Sequence, residues 1–438
     1  MPEKKFSFID LFAGIGGFRL GLEAIGGDCI ASSEIDRHAN QVYANNWPND
    51  SEQHHLGDIC QVGQLPPHDL MVGGVPCQAW SIAGKNRGIE DPRGKLWLEV
   101  IRLLGQSTPT AFIFENVKGL HDQRHRAALD YLVDSFTSFG YEVHYRLLNS
   151  FDFDVPQNRE RIFIVGIQKS RIKKAFVWPR PVENHKQLFE ILDDLEKPCF
   201  TEQPALIQRN LFGERVNVSH NKLTPIGAKN QFFILTDLRD GPTSIHSWEL
   251  YDHVSEYEKE ICLTILRNRR KPQYGPQDGN PMSFADLKML IPGLKEEYLQ
   301  RLMQKRILRQ YEDSGKYEFF NRKLSGGIDG ISRVYLPTAT FFPTIMASGT
   351  LDFVATVNVH GDTDEAYKAD FIRKVLHLRN YRALKSSELA RLQGFPSDFK
   401  RHDNPRQNIK LFGNSVAVPV ITAVGKAIMN TGCFDNER

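Results

Sequence analysis

Between residues 1 and 168 short apolar runs alternate with amphipathic stretches, and the runs end in polar or glycine-rich turns. Residues 6–12 are apolar, with glycines directly after them, and 18–25 have helical periodicity. Residues 29–33, 70–72 and 111–114 are further short apolar runs, and 161–167 is a last one. The long stretches 96–104 and 125–139 are amphipathic at helical spacing. Such alternation predicts a mostly parallel sheet covered by helices. In α/β sheets of this kind ligands bind beyond the carboxyl ends of the strands. The polar motifs of this chain fall just there.

Residues 170–330 change character. The segment around Pro179 and Pro181 reads as a linker, and irregular polar sequence with scattered basic residues follows it. Within it 283–290 predicts a short helix with Ser283 as N-cap. Pro292 and Gly293 break that helix, and 295–305 predicts a second one, basic on one face. Residues 307–311 and 316–320 predict a hairpin around Asp313-Ser314-Gly315. Helix, turn, basic helix and hairpin is the order of a winged helix-turn-helix; a small α+β lobe with a solvated basic face is the plainer reading. Residues 331–438 become regular again and end in an apolar helix, 418–429.

A chain of 438 residues exceeds one ordinary domain and implies two or three. The expected division is 1–178, 179–330 with the winged-helix-like part at 283–320, a return segment 331–395, and a C-terminal segment 396–438 that rejoins the first domain. Apolar residues at 41% supply a core, and a net charge of only +2 means that any basic surface is local. The six cysteines have neither C-x-x-C nor zinc spacing, so no metal site is expected and five of them read as buried small hydrophobes. The N-terminus has no signal-peptide pattern and no run of about 18 apolar residues occurs, so neither export nor a membrane span is expected. The cysteines then read as free thiols in a reducing compartment.

Five motifs carry chemistry. Phe12-Ala13-Gly14-Ile15-Gly16-Gly17 lies between a strand and a helix, where glycines permit close backbone approach to a ligand. Glu34 ends the next strand and could take both hydroxyls of a ribose, and Asp58 could accept from an adenine amino group. Together they favour a nucleoside cofactor; the missing full G-x-G-x-x-G spacing and Walker lysine argue against a pyrophosphate or triphosphate. In Gly73-Gly74-Val75-Pro76-Cys77-Gln78 a cysteine follows a proline in a glycine-flanked loop. A lone cysteine is more often an inert core thiol, but a strand-end loop is where a reactive thiolate sits. Glu115, in Phe114-Glu115-Asn116-Val117, is either a solvated carboxylate or a general acid with a raised pKa. Arg159 and Arg161 at i, i+2 point to one side of an extended segment, as a surface ion cluster or as a cation pair in a pocket. Asn414 and Ser415 precede the last helix, where they either cap it or bond a ligand.

With these residues in place the sequence resembles the cytosine-5 DNA methyltransferases of bacterial restriction–modification systems. The resemblance covers 6–168 and about 330–430, and its motifs follow the family's order: DLFAGIGG, SSEID, GDI, GGVPCQAWS, FENV, QNRERIFIVG and GNSVAVPV. It implies an α/β fold, a Rossmann-like S-adenosylmethionine-dependent methyltransferase domain with a smaller, mixed α+β target-recognition domain. It implies that Cys77 attacks C6 of a flipped-out cytosine and that Glu115 bonds N3 and the exocyclic amine. Arg161 would hold O2, and Arg159 would support the loop near Cys77. By the same resemblance Phe12, Gly14, Gly16, Glu34, Ile35, Asp58, Pro76, Leu96, Asn414 and Ser415 contact S-adenosyl-L-methionine, and Gln78, Ser81, Lys85, Arg93 and Arg333 contact DNA. The expected partner is double-stranded DNA, bound by a monomer in a bacterial cytoplasm near the nucleoid, with a cognate restriction endonuclease as functional counterpart. Trp80 replaces the family's usual phenylalanine. The alternatives are a transfer-RNA cytosine-5 methyltransferase, which the long basic insert 254–325 argues against, and an inactive DNA-binding relative, which Cys77, Glu115 and Arg161 argue against.

Overall fold

The structure is a computed structural model. It describes residues 5–51, 54–76, 95–182, 186–198, 233–234, 254–277, 279–320, 333–349, 352–361 and 363–435. The chain divides into two compact units: Met1–Lys186 with Phe341–Thr350 and Lys385–Arg438, and Gln187–Thr340 with Leu351–Leu384.

The first unit opens with β1 (Phe6–Leu11), α1 (Gly17–Glu23), β2 (Gly27–Ser33), α2 (Arg37–Asn46), β3 (Leu70–Gly74), α3 (Lys95–Ser107), β4 (Ala111–Val117), α4 (Arg126–Ser138), β5 (Tyr141–Asn149), β6 (Gln157–Asn158) and β7 (Glu160–Gln168). The second unit supplies α5 (Leu188–Ile191), β8 (Phe233–Ile234), α6 (Glu256–Asn268), α7 (Phe284–Leu290), α8 (Glu296–Gln304), β9 (Leu308–Gln310), β10 (Tyr317–Phe319) and β11 (Arg333–Tyr335). The chain returns to the first unit for β12 (Phe342–Pro343), then gives β13 (Asp352–Ala355), α9 (Asp364–Phe371) and β14 (Tyr381–Arg382) to the second. It ends in the first unit with α10 (Ser386–Leu392), α11 (Pro405–Asn414) and α12 (Val418–Met429).

The main sheet of the first unit has the order β2-β1-β3-β4-β7-β5. Strands β2, β1, β3 and β4 are parallel, whereas β7 runs antiparallel to both β4 and β5. The expected apolar runs are these strands, but β5 and α2 had no counterpart in the sequence reading. In β5 polar and apolar residues alternate, because much of it is only half-buried. The link from β5 to β7 is short, so the two pair as neighbours without the helical crossover that a parallel pair needs.

Period-two burial sorts each strand's residues onto two faces. Phe8, Val72, Ile113 and Val165 meet α1 and α12 on one face, among them Leu22, Ile421 and Val424. Ile9, Met71, Phe112, Phe114 and Ile164 meet α3 and α4 on the other, among them Trp97, Leu104, Leu132 and Phe136. Burial on both faces is why these strands read as continuous apolar runs. The segment expected as a linker is partly structural, since Phe176 is buried in the first of these clusters and Trp178 packs beside it.

In the second unit β11 lies between β13, which is parallel to it, and β8, which is antiparallel. Helices α6, α7 and α8 and the β9–β10 hairpin form a separate core. Ser283 caps α7 and β9–β10 is a hairpin, as expected. The outer face of α8 differs from the expectation: it exposes Glu297, Gln300, Arg301 and Gln304, a mixed polar set and not a basic one.

Cys29, Cys262 and Cys433 are buried free thiols, but Cys60 is exposed, against the expectation of burial; Cys77 and Cys199 lie outside the described residues. The stretch Pro405–Met429 is, by length and composition, apolar enough to cross a membrane, which the sequence reading had not anticipated. It consists of α11 and α12 with a break at 415–417, and 67% of its apolar window is buried in the fold.

Gly166 of β7 pairs with Phe112 of β4. A Cβ there would stand 2.1 Å from the Phe112 ring, which is itself stacked on Phe114 and tilted against Phe136. Gly166→Ala therefore overpacks the sheet, and chemical denaturation should show a loss of about 1–3 kcal/mol. Phe112→Leu in the same chain should recover part of it. An alanine variant as stable as the parent would show that the ring has room to move.

Candidate active site

The glycine-rich loop leaves β1 through a series of left-handed residues: Phe12 at φ 57°, Gly14 at 56° and Gly16 at 86°. A Cβ on Gly14 would meet nothing nearer than the Phe12 carbonyl oxygen at 4.0 Å, so glycine serves the backbone there and leaves open space. At Gly16 a Cβ would stand 2.3 Å from the Trp47 ring, so that position is closed to any side chain. The loop is held to β2 by Glu34. Its Oε2 accepts from Gly14 N at 2.9 Å, and its Oε1 accepts from Ile35 N at 2.8 Å and Asp36 N at 2.7 Å. Beside it Ile35 is 76% exposed, an apolar side chain standing in water.

The next strand ends bring more polar groups to the same edge. Ser33 Oγ donates to the Gly57 carbonyl at 2.5 Å, which brings the turn containing Asp58 to the end of β2. Asp58 is exposed, and one carboxylate oxygen accepts from Cys60 N at 2.9 Å. Gly73 allows β3 to pass close to β1, since a Cβ would meet the Leu11 carbonyl oxygen at 2.7 Å. Gly74 pairs with Glu115 across the β3–β4 ladder. Asn116 Nδ2 donates to the Val75 carbonyl at 3.1 Å and so fixes the chain that leads through Pro76.

Glu115 is nearly buried, and its Oε1 lies 3.0 Å from Arg161 Nε. Burial raises its pKa above the ordinary carboxylate value, while the charges of Arg161 and then Arg159 oppose the rise. Such a group can carry a proton into a site and still be oriented by a cation. Arg159 is almost fully buried and turned elsewhere. Its guanidinium donates to the carbonyls of Ile345 at 3.2 Å, Gly413 at 3.1 Å and Ser415 at 2.6 Å. The two arginines thus act on one carboxylate, but Arg159 is also a backbone anchor.

The segment at 413–417 closes the arrangement. A Cβ on Gly17 would meet Val416 Cγ2 at 2.8 Å and Ser415 Oγ at 3.0 Å, so this segment lies against the glycine loop. Neither Asn414 nor Ser415 caps α12, whose N-cap is Ala417. Asn414 is exposed, and its amide has no partner among the described residues.

A profile of C-5 cytosine-specific DNA methylases matches residues 6–430. The chain belongs to the C-5 cytosine-specific DNA methylase family. It is 58% identical to the Type II methyltransferase M.HgiBI of Herpetosiphon aurantiacus over 434 residues, 99% of each chain. It is 32% identical to the Type II methyltransferase M.BanI of Aneurinibacillus aneurinilyticus, covering 96% of this chain and 95% of that one. Among solved structures, the Entamoeba histolytica methyltransferase EhMeth shares the fold with a TM-score of 0.54 at 14% identity, covering 98% and 99% of the two chains. The chain is therefore an enzyme of the DNA cytosine-5 methyltransferase class, with the Rossmann-like fold of that class.

In this methylase the first unit gathers Phe12, Gly14, Gly16, Glu34, Asp58, Pro76, Glu115, Asn414 and Ser415 at strand ends and adjoining loops. Leu96 is half-buried in the first turn of α3, packed against the sheet's core. Cys77, Gln78, Ser81, Lys85 and Arg93 lie outside the described residues. Arg333 belongs to the second unit, where its Nε and Nη2 bind the two Asp352 oxygens at 2.8 and 2.9 Å. Sequence reasoning passed over Asn116, although it lies inside a motif that was singled out. It also passed over a buried group beside the loop. There Arg19 bonds Asp50, Tyr43 and Glu23 and stacks 4.5 Å over the Trp47 ring that meets Gly16. Only the close approach of Trp47 to a glycine connects these residues to the site, and that is not visible in one dimension.

Asp10, one residue before the end of β1, is fully buried, and its carboxylate oxygens accept no hydrogen bond within normal distance among the described residues. Burial raises its pKa well above the usual value against the opposing charge of Arg19. Below about pH 4 both the folded and the unfolded chain hold this proton. Above that the unfolded chain releases it while the fold retains it, so stability falls as pH rises toward the folded pKa. Asp10→Asn should remove this slope. Thermal melts from about pH 4 to about pH 8 should show the variant gaining on the parent as pH rises. If the parent gains on the variant instead, Asp10 is ionised and stabilised in the fold.

Proposed function

We propose that this methylase transfers a methyl group to carbon 5 of cytosine within a specific sequence of double-stranded DNA, with Cys77 as covalent nucleophile and Glu115 as acid. The carrying observation is Glu115: a buried carboxylate with a raised pKa, ion-paired to Arg161, on the strand beside the one whose chain continues into Pro76 and Cys77.

Carbon 5 of cytosine is a poor nucleophile until something adds across the 5,6 bond. In the proposed cycle the Cys77 thiolate bonds to C6 while N3 takes a proton from Glu115, and C5 becomes the electron-rich end of an enamine. After methylation at C5, water or a solvent base removes the C5 proton. The C6–sulfur bond then breaks, the thiolate is regenerated, and the N3 proton returns to Glu115. Arg161 orients the Glu115 carboxyl and offers a cation for O2 of the ring. An atom inside a duplex is out of reach, so the base must be everted.

The edge formed by β1, β2 and β3 fits S-adenosylmethionine, which would supply the methyl group as an electrophile. Open space over Gly14, the exposed Ile35 beside Glu34, the exposed Asp58 carboxylate and the exposed Asn414 amide suit an adenosine with its ribose diol. Phe12, Gly16, Pro76, Leu96 and Ser415 complete the proposed contact set. Gln78, Ser81, Lys85 and Arg93 are proposed DNA contacts from their sequence alone. Arg333, already bound by Asp352, is left out of that set. The Type II naming of the relatives supports a role in protecting DNA against a cognate endonuclease, and the enzyme would act as a monomer in a bacterial cytoplasm.

Bisulfite sequencing of DNA from a host expressing the chain should reveal protected cytosines in one sequence context. Cys77→Ser should abolish protection, and Glu115→Gln should slow it by about 10²–10⁴-fold. Normal methylation by Cys77→Ser would refute the covalent mechanism.

A further inference from the structure

The part of the second unit that holds α7, α8 and the β9–β10 hairpin is built to present one helix. The turn between α7 and α8 contains Gly293 at φ +84°, and a Cβ there would meet nothing within 4 Å. Glycine is therefore required by the turn's backbone, as in helix-turn-helix connections. Leu287, Leu294, Leu299 and Leu302 bury the facing sides of the two helices against Ile261 and Ile265 of α6. Both ends of α8 are pinned from the inside. Tyr317 Oη of the hairpin donates to Glu296 Oε1 at 2.7 Å, and Lys305 Nζ reaches Glu258 of α6 at 2.8 Å.

The outward face of α8 carries Glu297, Gln300, Arg301 and Gln304, spaced i, i+3, i+4 and i+7. All four are exposed, and among the described residues none of their side chains makes a hydrogen bond or ion pair; Arg301 only stacks 5.2 Å over the Tyr298 ring. A helix that docks into a protein groove presents apolar residues at this spacing. This one presents the side chains that pair with base edges: arginine with guanine, glutamine with adenine, glutamate with cytosine. Lys288, Lys295 and Arg306 flank the helix, exposed and without a carboxylate partner among the described residues. The hairpin tip is acidic, with Glu312 and Asp313, so it does not suit phosphates.

We propose that α8 is the helix that reads the target sequence, lying in the major groove of double-stranded DNA with Gln300, Arg301 and Gln304 on base edges and the flanking lysines on phosphates. This rests on the proposed action on DNA. Two experiments separate the claims. Full-length protein is first used to select bound duplexes from a randomised library, which requires no methylation; bisulfite mapping is done in parallel. The wild-type chain should select one motif. Arg301→Ala should lose preference at one base position and bind the original motif about 10- to 100-fold more weakly, while its thermal melt stays unchanged. Arg301→Lys keeps the charge but not the bidentate fork, and it should fail to restore the preference. A triple Gln300→Ala, Arg301→Ala, Gln304→Ala variant that selects the parent's motif overturns the proposal, as does Arg301→Lys behaving as wild type. A wild-type motif without methylated cytosines would sink the methylation reading and leave α8 as the reading helix.

Discussion

The guanidinium of Arg159 joins parts of the chain that are far apart in sequence. It lies between β6 and β7 and donates to Ile345, Gly413 and Ser415, separated from it by 186, 254 and 256 residues. Between these points the chain leaves to build the second unit and comes back. The neighbouring Gln157 works the same way: its Nε2 donates to the Leu392 carbonyl at 2.7 Å, and its Oε1 accepts from Ile345 N at 3.1 Å. A buried cation that donates to carbonyls is costly unless those carbonyls are held in place. The C-terminal segment is therefore as much a part of the proposed cofactor edge as the glycine loop it touches through Gly17 and Ser415.

The same cation also acts on Glu115, after burial and Arg161. Desolvation favours its neutral form, and Arg161 and Arg159 favour the charged one. With one cation in direct contact and the other committed to backbone carbonyls, the balance leaves the carboxyl above its ordinary value. Moving either arginine would alter the proton affinity of a group that the proposed chemistry uses as an acid.

Much of this was legible in the residues. β1, β3 and β4 are buried on both faces, so they appear as plain apolar runs, and the polar groups at their ends stand out against them. The Ser283 cap, Gly293 and the hairpin were visible because turn and cap chemistry is local. What depends on distant partners was not. The sense of β7 is set by the return path through β5, a half-polar strand that no apolar run betrays. The dual employment of Arg159 needs segments hundreds of residues away, and the capture of Arg333 by Asp352 depends on β11 pairing with β13. Residues 77–94, which hold the cysteine at the centre of the sequence argument, lie outside the described structure; the residues around that segment are what support the reading.

Glu34 has a further consequence. A carboxylate offers about four lone-pair sites, and three are already taken by the amides of Gly14, Ile35 and Asp36. A sugar diol that wants two of them can be accommodated only if one amide lets go, and Gly14, on the loop with open space above it, is the freest to do so. Occupancy of the pocket would then be written into the solvent exchange of a single backbone proton, and the loop would loosen at one point as the ligand tightens at another.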